Sequence, residues 1–215
     1  MKSKSYAVFG LGRYGRAVAK ELVDNGNEVI AVDHNQDLVN EAAADIPLCK
    51  CADVTDADVI ARLGIADVDT VIICMANSLE ASVMAITLCK EAGVKNVIAK
   101  CGTEMHQKIM LRVGADQVVF PENESGIRLA KNLISSGFID MISLSKDVSM
   151  IEIDVREEWV GRNLIELNLR KKYGFNVVAV KKGEEVNVSI SPEQALCADE
   201  TLIVIANTAK LGKLK

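Results

Sequence analysis

The sequence predicts an α/β protein, a Rossmann-like doubly wound parallel sheet followed by a small C-terminal α/β module. Three observations lead there. Short β-branched runs alternate with helical patterns from Tyr6 to Phe120, the pattern of a parallel sheet whose strands are joined by crossover helices. The first run leads directly into Gly10-Leu11-Gly12-Arg13-Tyr14-Gly15 and then into a helical segment, the context in which such a glycine pattern carries structural meaning. From Lys146 the composition resets into a second, shorter alternation of strand and helix signals.

In order, strands are expected at Tyr6 to Gly10, Glu28 to Asp33, Pro47 to Cys51, Thr70 to Met75, Asn96 to Lys100 and Gln117 to Phe120. Helices are expected between them, at Arg13 to Asn25, Gln36 to Ala44, Asp56 to Leu63, Ser78 to Ala92 and Glu104 to Val113. Gly26, Gly64, Gly93 and Gly114 end several of these, as left-handed helix caps require. Beyond Pro121, the residues Ile127, Ala130, Ile134, Phe138 and Met141 recur at helical spacing. That helix has no seventh strand to return to, so its apolar stripe is expected to serve as a connector and a dimer contact. The second module reads as a strand (Ser149 to Val155), a helix (Asn163 to Tyr173) and three strands (Asn176 to Lys181, Glu185 to Ser191, Thr201 to Ala206). The expected organisation is a Rossmann-type domain over 1–121, connecting helices over 122–145 and a small α/β domain over 146–215.

Composition narrows the classes. A chain of 215 residues that is 49% hydrophobic can bury one large core or two small ones. With 25 Lys and Arg against 30 Asp and Glu, a net charge of −5 offers no general attraction to phosphate backbones, so nucleic acid is not an expected partner. The longest apolar run, Val71 to Ala76, is far shorter than the ~20 residues of a membrane helix. The expectation is a cytoplasmic protein without direct membrane insertion. Six cysteines without a C-x-x-C pair read as buried, reduced thiols. Cys49 and Cys51 share one strand face but do not complete a tetrahedral metal shell.

The glycine loop carries the chemistry. Gly10 permits a tight turn, Gly12 removes a Cβ that would block a pyrophosphate, and Gly15 lets the helix pack on the sheet. Backbone N–H groups at the helix N-terminus then face phosphate oxygens. Asp33, at the end of the second strand, suits a ribose and would repel a 2′-phosphate; its plainer reading is a turn-starting Asp. Asp53 and Asn77 fall on the same carboxyl edge, Asp53 as a border for adenine. Asn77 is either a ligand contact or the cap of the helix beginning at Ser78. Arg13 is either a solvated first-turn arginine or a cation for a terminal phosphate.

Phe-Gly-Leu-Gly-Arg-Tyr-Gly-Arg at 9–16, Val-Asp at 32–33, Ala-Asp at 52–53, Val-Gly-Ala-Asp at 113–116 and Phe-Pro-Glu at 120–122 resemble the RCK domains of Ktr and Trk potassium uptake regulators. The resemblance runs almost end to end. It implies a regulatory subunit that binds ATP, ADP or NAD(H), forms homodimers within an octameric ring and gates a membrane-embedded potassium transporter subunit from the cytoplasmic face. It implies Arg13 near a γ-phosphate, Asp33 at the ribose, and Glu122 at a divalent cation between paired subunits. Glu122 also reads as a favourable charge at a helix N-terminus. In the second module, Arg170, Asn176, Val177 and Pro192 fall where some relatives hold cyclic di-AMP. Otherwise Arg170-Lys171-Lys172 is the solvated end of a helix before Gly174.

The rival from another class is a small NAD-dependent oxidoreductase. It needs a general acid or base beside the nicotinamide, and the two histidines, His34 and His106, are expected to face solvent away from such chemistry. The sequence therefore reads as a sensor, not an enzyme.

Overall fold

The computed structural model describes residues 4–75, 77–134, 140–145 and 147–207. The chain divides into two units, Met1–Glu122 and Asn123–Lys215. Phe138 and Lys146, used in the sequence argument, lie outside the described residues.

In the first unit six parallel strands, β1 (Ser5–Phe9), β2 (Glu28–Asp33), β3 (Leu48–Cys51), β4 (Thr70–Ile73), β5 (Asn96–Lys100) and β6 (Gln117–Val119), are ordered β3-β2-β1-β4-β5-β6. Five helices alternate with them: α1 (Arg13–Asp24), α2 (Gln36–Ala42), α3 (Ala57–Leu63), α4 (Leu79–Glu91) and α5 (Glu104–Arg112). Helices cover both faces, so the central strands are predominantly apolar, and every residue of β4 is buried. Ala7 and Phe9 join the cluster containing Val71 and Ile73. Val8, between them, joins Ala31 and Ile72 in the other. The strand order reverses between β1 and β4, which opens a crevice at their carboxyl ends.

Local chemistry sets the boundaries. Asn35, Asp56, Ser78 and Thr103 each cap a helix by accepting a hydrogen bond from a first-turn N–H. Gly26, Gly64, Gly93 and Gly114 all have positive φ, as expected. The Val-Gly-Ala-Asp stretch acquires a physical account here. Gly114, at φ +114°, turns the chain so that the Asp116 carboxylate accepts from the Val97 N–H (2.7 Å) and from Lys90 Nζ (3.0 Å), while the Asp116 N–H donates to the Val97 carbonyl (2.8 Å). This ties β5 to the turn that starts β6. Hydrogen bonding from Val97, then from Lys90, holds the Asp116 carboxyl below its ordinary range.

The second unit contains β7 (Asp140–Ser143), β8 (Val148–Asp154), α7 (Leu164–Leu167), α8 (Leu169–Tyr173), β9 (Asn176–Lys182), β10 (Glu185–Asn187) and β11 (Glu200–Asn207). Helix α6 (Pro121–Ile134) precedes them in the chain, starting at the end of the first unit. The strands form an antiparallel sheet ordered β10-β9-β11-β8-β7. Its core gathers Ile151, Ile153, Leu202 and Val204 with Trp159 and Phe175.

Several expectations are corrected. Met141, placed in a helical stripe, lies in β7 opposite Ile151, where edge-strand pairing overrides the helical spacing. The single helix expected from Asn163 to Tyr173 is two short ones, because Asn168 adopts a left-handed conformation (φ 49°) between them. The strand expected to reach Ser191 stops at Asn187, whose side chain accepts from the Ser189 N–H (2.9 Å) and turns the chain. The thiols are not uniformly buried, since Cys51 and Cys197 are exposed. On α6, Ile127, Leu129 and Leu133 are exposed, Leu133 at 78%.

Two outcomes follow. A Cβ at Gly15 would lie 1.9 Å from the Gly10 carbonyl oxygen, so Gly15→Ala is expected to cost about 3 kcal/mol or more by chemical denaturation. Asp116→Asn is expected to lose about 1 kcal/mol near neutral pH, limited by solvent screening of a part-exposed carboxylate. Because the folded-state pKa is depressed, that contribution exists above the unfolded carboxylate pKa and vanishes as pH falls through the folded value. Stability curves of the two proteins should therefore converge in acid.

Candidate functional site

The reversal of strand order places four chain segments around one cleft of about 740 Å³, within the range of small-molecule sites. It is lined by the glycine loop, the end of β2, the segment after β3, and the segment between β4 and α4. Lys100, at the end of β5, and Glu122 complete it.

The glycine loop is shaped by close backbone approach. Gly10 has φ +92°, and its N–H donates to the Val32 carbonyl (2.8 Å). A Cβ at Gly12 would meet nothing within 4 Å, so this glycine leaves open space on the cleft side. Gly12 is also the N-cap of α1 and supplies no side-chain cap. Among helices α1 to α5, the other four carry a capping side chain. The first turn of α1 contains no acidic residue. Uncapped N–H groups and the positive helix end thus meet the cleft without a resident carboxylate, an arrangement suited to an anion.

Asp33 is only 7% exposed. Its Oδ2 accepts from the Leu11 N–H (2.6 Å) and its Oδ1 from the Asn35 N–H (2.8 Å), with His34 Nδ1 3.3 Å from Oδ1. The carboxylate therefore ties the loop to β2 in addition to facing the cleft, a structural duty the sequence did not reveal. Asp53 is exposed, and its Oδ1 accepts from the Thr55 hydroxyl (2.7 Å) and the Thr55 N–H (2.9 Å). Those bonds, the hydroxyl's first, hold its carboxyl below the ordinary range. Asn77 lines the cleft but does not cap α4; Ser78 does, its hydroxyl accepting from the Ala81 N–H (3.1 Å). Arg13 is exposed on the cleft rim, its side chain without a hydrogen bond or ion pair to another described residue.

Two residues absent from the sequence-based site are prominent. Cys74 forms the wall behind the loop, close to Gly15, and burial pushes its thiol up to about 12, so it stays neutral. Lys100 Nζ lies 2.6 Å from Glu122 Oε1 and 5.4 Å from the Tyr14 ring centroid. Its side chain is 14% exposed against 63% for Glu122. Glu122 is the second residue of α6, after Pro121. The Lys100 ammonium, then its own backbone N–H, depress its carboxyl. Lys100 ends the expected strand Asn96 to Lys100 and Cys74 is next to the end of Thr70 to Met75, both on the carboxyl edge, which is the signal that could have found them. Within one chain the Glu122 carboxylate is paired with the Lys100 ammonium, and among the described residues no three His, Cys, Asp or Glu gather around a metal-sized space.

In the second unit Arg170, Asn176 and Val177 line a hollow of about 490 Å³ with Leu164, Ile165 and Phe175 among its walls. Pro192 is not in that lining; its carbonyl accepts from the Ile165 N–H (3.4 Å). Of the histidines, His34 has an 81% exposed side chain. His106 departs from expectation, because its Nδ1 is buried without a hydrogen-bond partner among the described residues.

Comparison with known proteins matches this chain to two family models, the TrkA-N domain over residues 6–121 and the TrkA-C domain over residues 148–215. The chain is 35% identical over 212 residues to the Ktr system potassium uptake protein C of Bacillus subtilis, covering 99% of this chain and 96% of that protein. It is 35% identical over 213 residues to the Ktr system potassium uptake protein A of Vibrio alginolyticus, covering 99% and 97%. Among solved structures, a GsuK channel bound to NAD superposes with a TM-score of 0.66 at 18% identity, over 99% of this chain but only 39% of that one. At that identity the likeness speaks to fold alone.

Proposed function

Since the chain belongs to the TrkA-N and TrkA-C family that includes the Ktr potassium uptake proteins, we propose that it is a nucleotide-binding regulatory subunit of a potassium uptake system. The observation that carries the reading is the uncapped start of α1 at Gly12, opening into a cleft with Arg13 at its rim. Backbone donors there suit a pyrophosphate, and an unengaged guanidinium beside them suits a further phosphate.

On this reading Gly10, Leu11, Gly12, Arg13, Tyr14 and Gly15 surround the phosphates. Asp33 takes the ribose hydroxyls, since each carboxylate oxygen retains acceptor capacity beyond its single N–H bond. Asp53 and Asn77 border the nucleoside. The ligand is ATP or ADP, with NAD(H) compatible at the ribose; a GsuK channel of the same fold is bound to NAD. No helix among the described residues is long and apolar enough to cross a membrane, which fits a subunit that acts on a separate membrane-embedded transporter from the cytoplasmic side. Assembly as dimers within a ring gives the exposed α6 side chains a partner. Cyclic di-AMP in the hollow at Arg170, Asn176 and Val177 is a further part of the proposal.

Regulation follows if two ligands favour different subunit arrangements, because a ligand shifts an equilibrium only by its differential affinity. ATP, with its additional phosphate near Arg13, stabilises the activating arrangement and ADP a less active one. The competing oxidoreductase reading requires turnover, and nicotinamide absorbance over a panel of small carbonyl compounds is expected to stay flat.

Calorimetry on the purified chain is expected to detect ATP and ADP binding. Gly12→Ala is expected to weaken both at least roughly tenfold by filling the space a phosphate uses, while the unfolding free energy stays within about 0.5 kcal/mol of wild type. Binding by the variant at wild-type affinity would place the ligand elsewhere. Arg13→Ala is expected to bring the ATP and ADP affinities together, and an unchanged preference removes Arg13 from the mechanism.

A further inference from the structure

We infer that the second unit binds a small α-amino acid in a cavity at one corner of its sheet, with Glu200 receiving the ammonium group. The cavity is built by residues of the second unit alone and shares only Leu164 with the hollow at Arg170.

A buried charge without a cation of its own marks the place. Glu200, the first residue of β11, is 8% exposed. Its Oε2 accepts from the Cys197 N–H (2.8 Å), and its other oxygen has no hydrogen-bond partner among the described residues. A carboxylate withdrawn from water needs its acceptor positions filled and its charge balanced. Lys182 stands directly opposite Glu200 on β9, and Glu185 stands directly opposite Lys182 on β10. Opposite residues of antiparallel strands project to one face, so a row of carboxylate, ammonium and carboxylate borders one space. Lys182 nevertheless gives its ion pair to Asp199 (3.0 Å), and Glu200 is left to an incoming cation.

The space beside that row is a cavity of about 80 Å³. Its polar side is formed by Glu200, Lys182, Asn187 and Gln194, its apolar side by Leu164, Val180, Ile190 and Leu196. Each side selects part of a ligand. The second Glu200 oxygen accepts from an ammonium. Lys182, with a 61% exposed side chain, and the Asn187 amide NH₂, whose Oδ1 already takes the Ser189 N–H, suit a carboxylate next to it. The apolar side suits a short hydrocarbon side chain. A bare metal ion is disfavoured, because the Lys182 ammonium repels it and among the described residues no three His, Cys, Asp or Glu gather to hold one. At roughly 10–15 Å³ for each water-sized group, the volume admits about six non-hydrogen atoms, the size of alanine.

Calorimetry on the full chain with L-alanine as the probe tests this. Binding is expected with a Kd between about 10 μM and 10 mM, the range open to so small a ligand. N-acetyl-L-alanine, which lacks the ammonium, and L-alaninamide, which lacks the carboxylate, are expected to bind at least roughly tenfold more weakly. Ala195→Leu, at an exposed position in the cavity lining, fills the space and leaves every charge in place; it is expected to abolish binding. Glu200→Gln keeps an acceptor for the Cys197 N–H and removes the charge, and it is expected to weaken L-alanine at least roughly tenfold. Should that variant fail to fold, Ala195→Leu and the two analogues carry the test. Absence of binding by wild type up to about 10 mM, or full affinity in folded Ala195→Leu, overturns the proposal and leaves a cavity that holds water only. Equal affinity for N-acetyl-L-alanine overturns the role of Glu200. Nucleotide binding by the first unit is a separate measurement that none of these outcomes alters.

Discussion

The rest of the cleft depends on one buried carboxylate. Asp33 is removed from water at the end of β2, and a charge so placed persists only when hydrogen-bonded. Its two oxygens take the N–H groups of Leu11 and Asn35, fastening the turn after β1 to the turn after β2. With that bond in place, Gly10 can adopt its positive φ and Gly15 can lie against the Gly10 carbonyl. The loop is therefore shaped by the protein itself. A ligand that enters finds donors already aimed, and little of its binding energy goes into ordering the backbone.

A second consequence concerns charge. The chain carries a net −5, yet the cleft is not hostile to anions, because its carboxylates are engaged. Asp33 is satisfied by backbone donors, Asp53 by Thr55, and Glu122 by Lys100. Against them stand the start of α1, without an acidic residue in its first turn, and Arg13 on the rim. Net charge describes how a protein behaves at a distance. Recognition at contact range is decided by which groups are already paired.

Much of this was legible in the sequence, for identifiable reasons. The parallel sheet was within reach because β-branched runs and glycine-terminated helices repeat regularly, and the loop glycines sit where backbone geometry demands them. The second unit was harder. Asn168 looked like an ordinary helical residue, and only its left-handed backbone divides α7 from α8. Met141 matched a helical period by coincidence, whereas its partner across the strand pair, Ile151, lies far enough away that no local pattern reports it. At the site, Asp33 was recognisable but its bond to Leu11 was not, since that contact exists only once β1 and β2 are adjacent. Lys100 and Glu122 were missed or assigned separately for the same reason: their pairing spans 22 positions and is created by the sheet.

If the cleft takes a nucleotide, its geometry confines discrimination between ligands to the phosphate end. On the proposed reading, the adenosine end meets Asp33, Asp53 and Asn77, and ATP, ADP and NAD(H) present the same adenosine there. Contacts common to all ligands raise every affinity equally and shift no equilibrium. The phosphate end differs, because Arg13 extends from α1 while Lys100 extends from β5 and is held by a residue of α6. Groups on three separate elements converge there, so a change in phosphate number alters the balance of forces among those elements. On the same proposed reading the glycine loop confers affinity, and the cations facing it confer the difference in affinity that regulation needs.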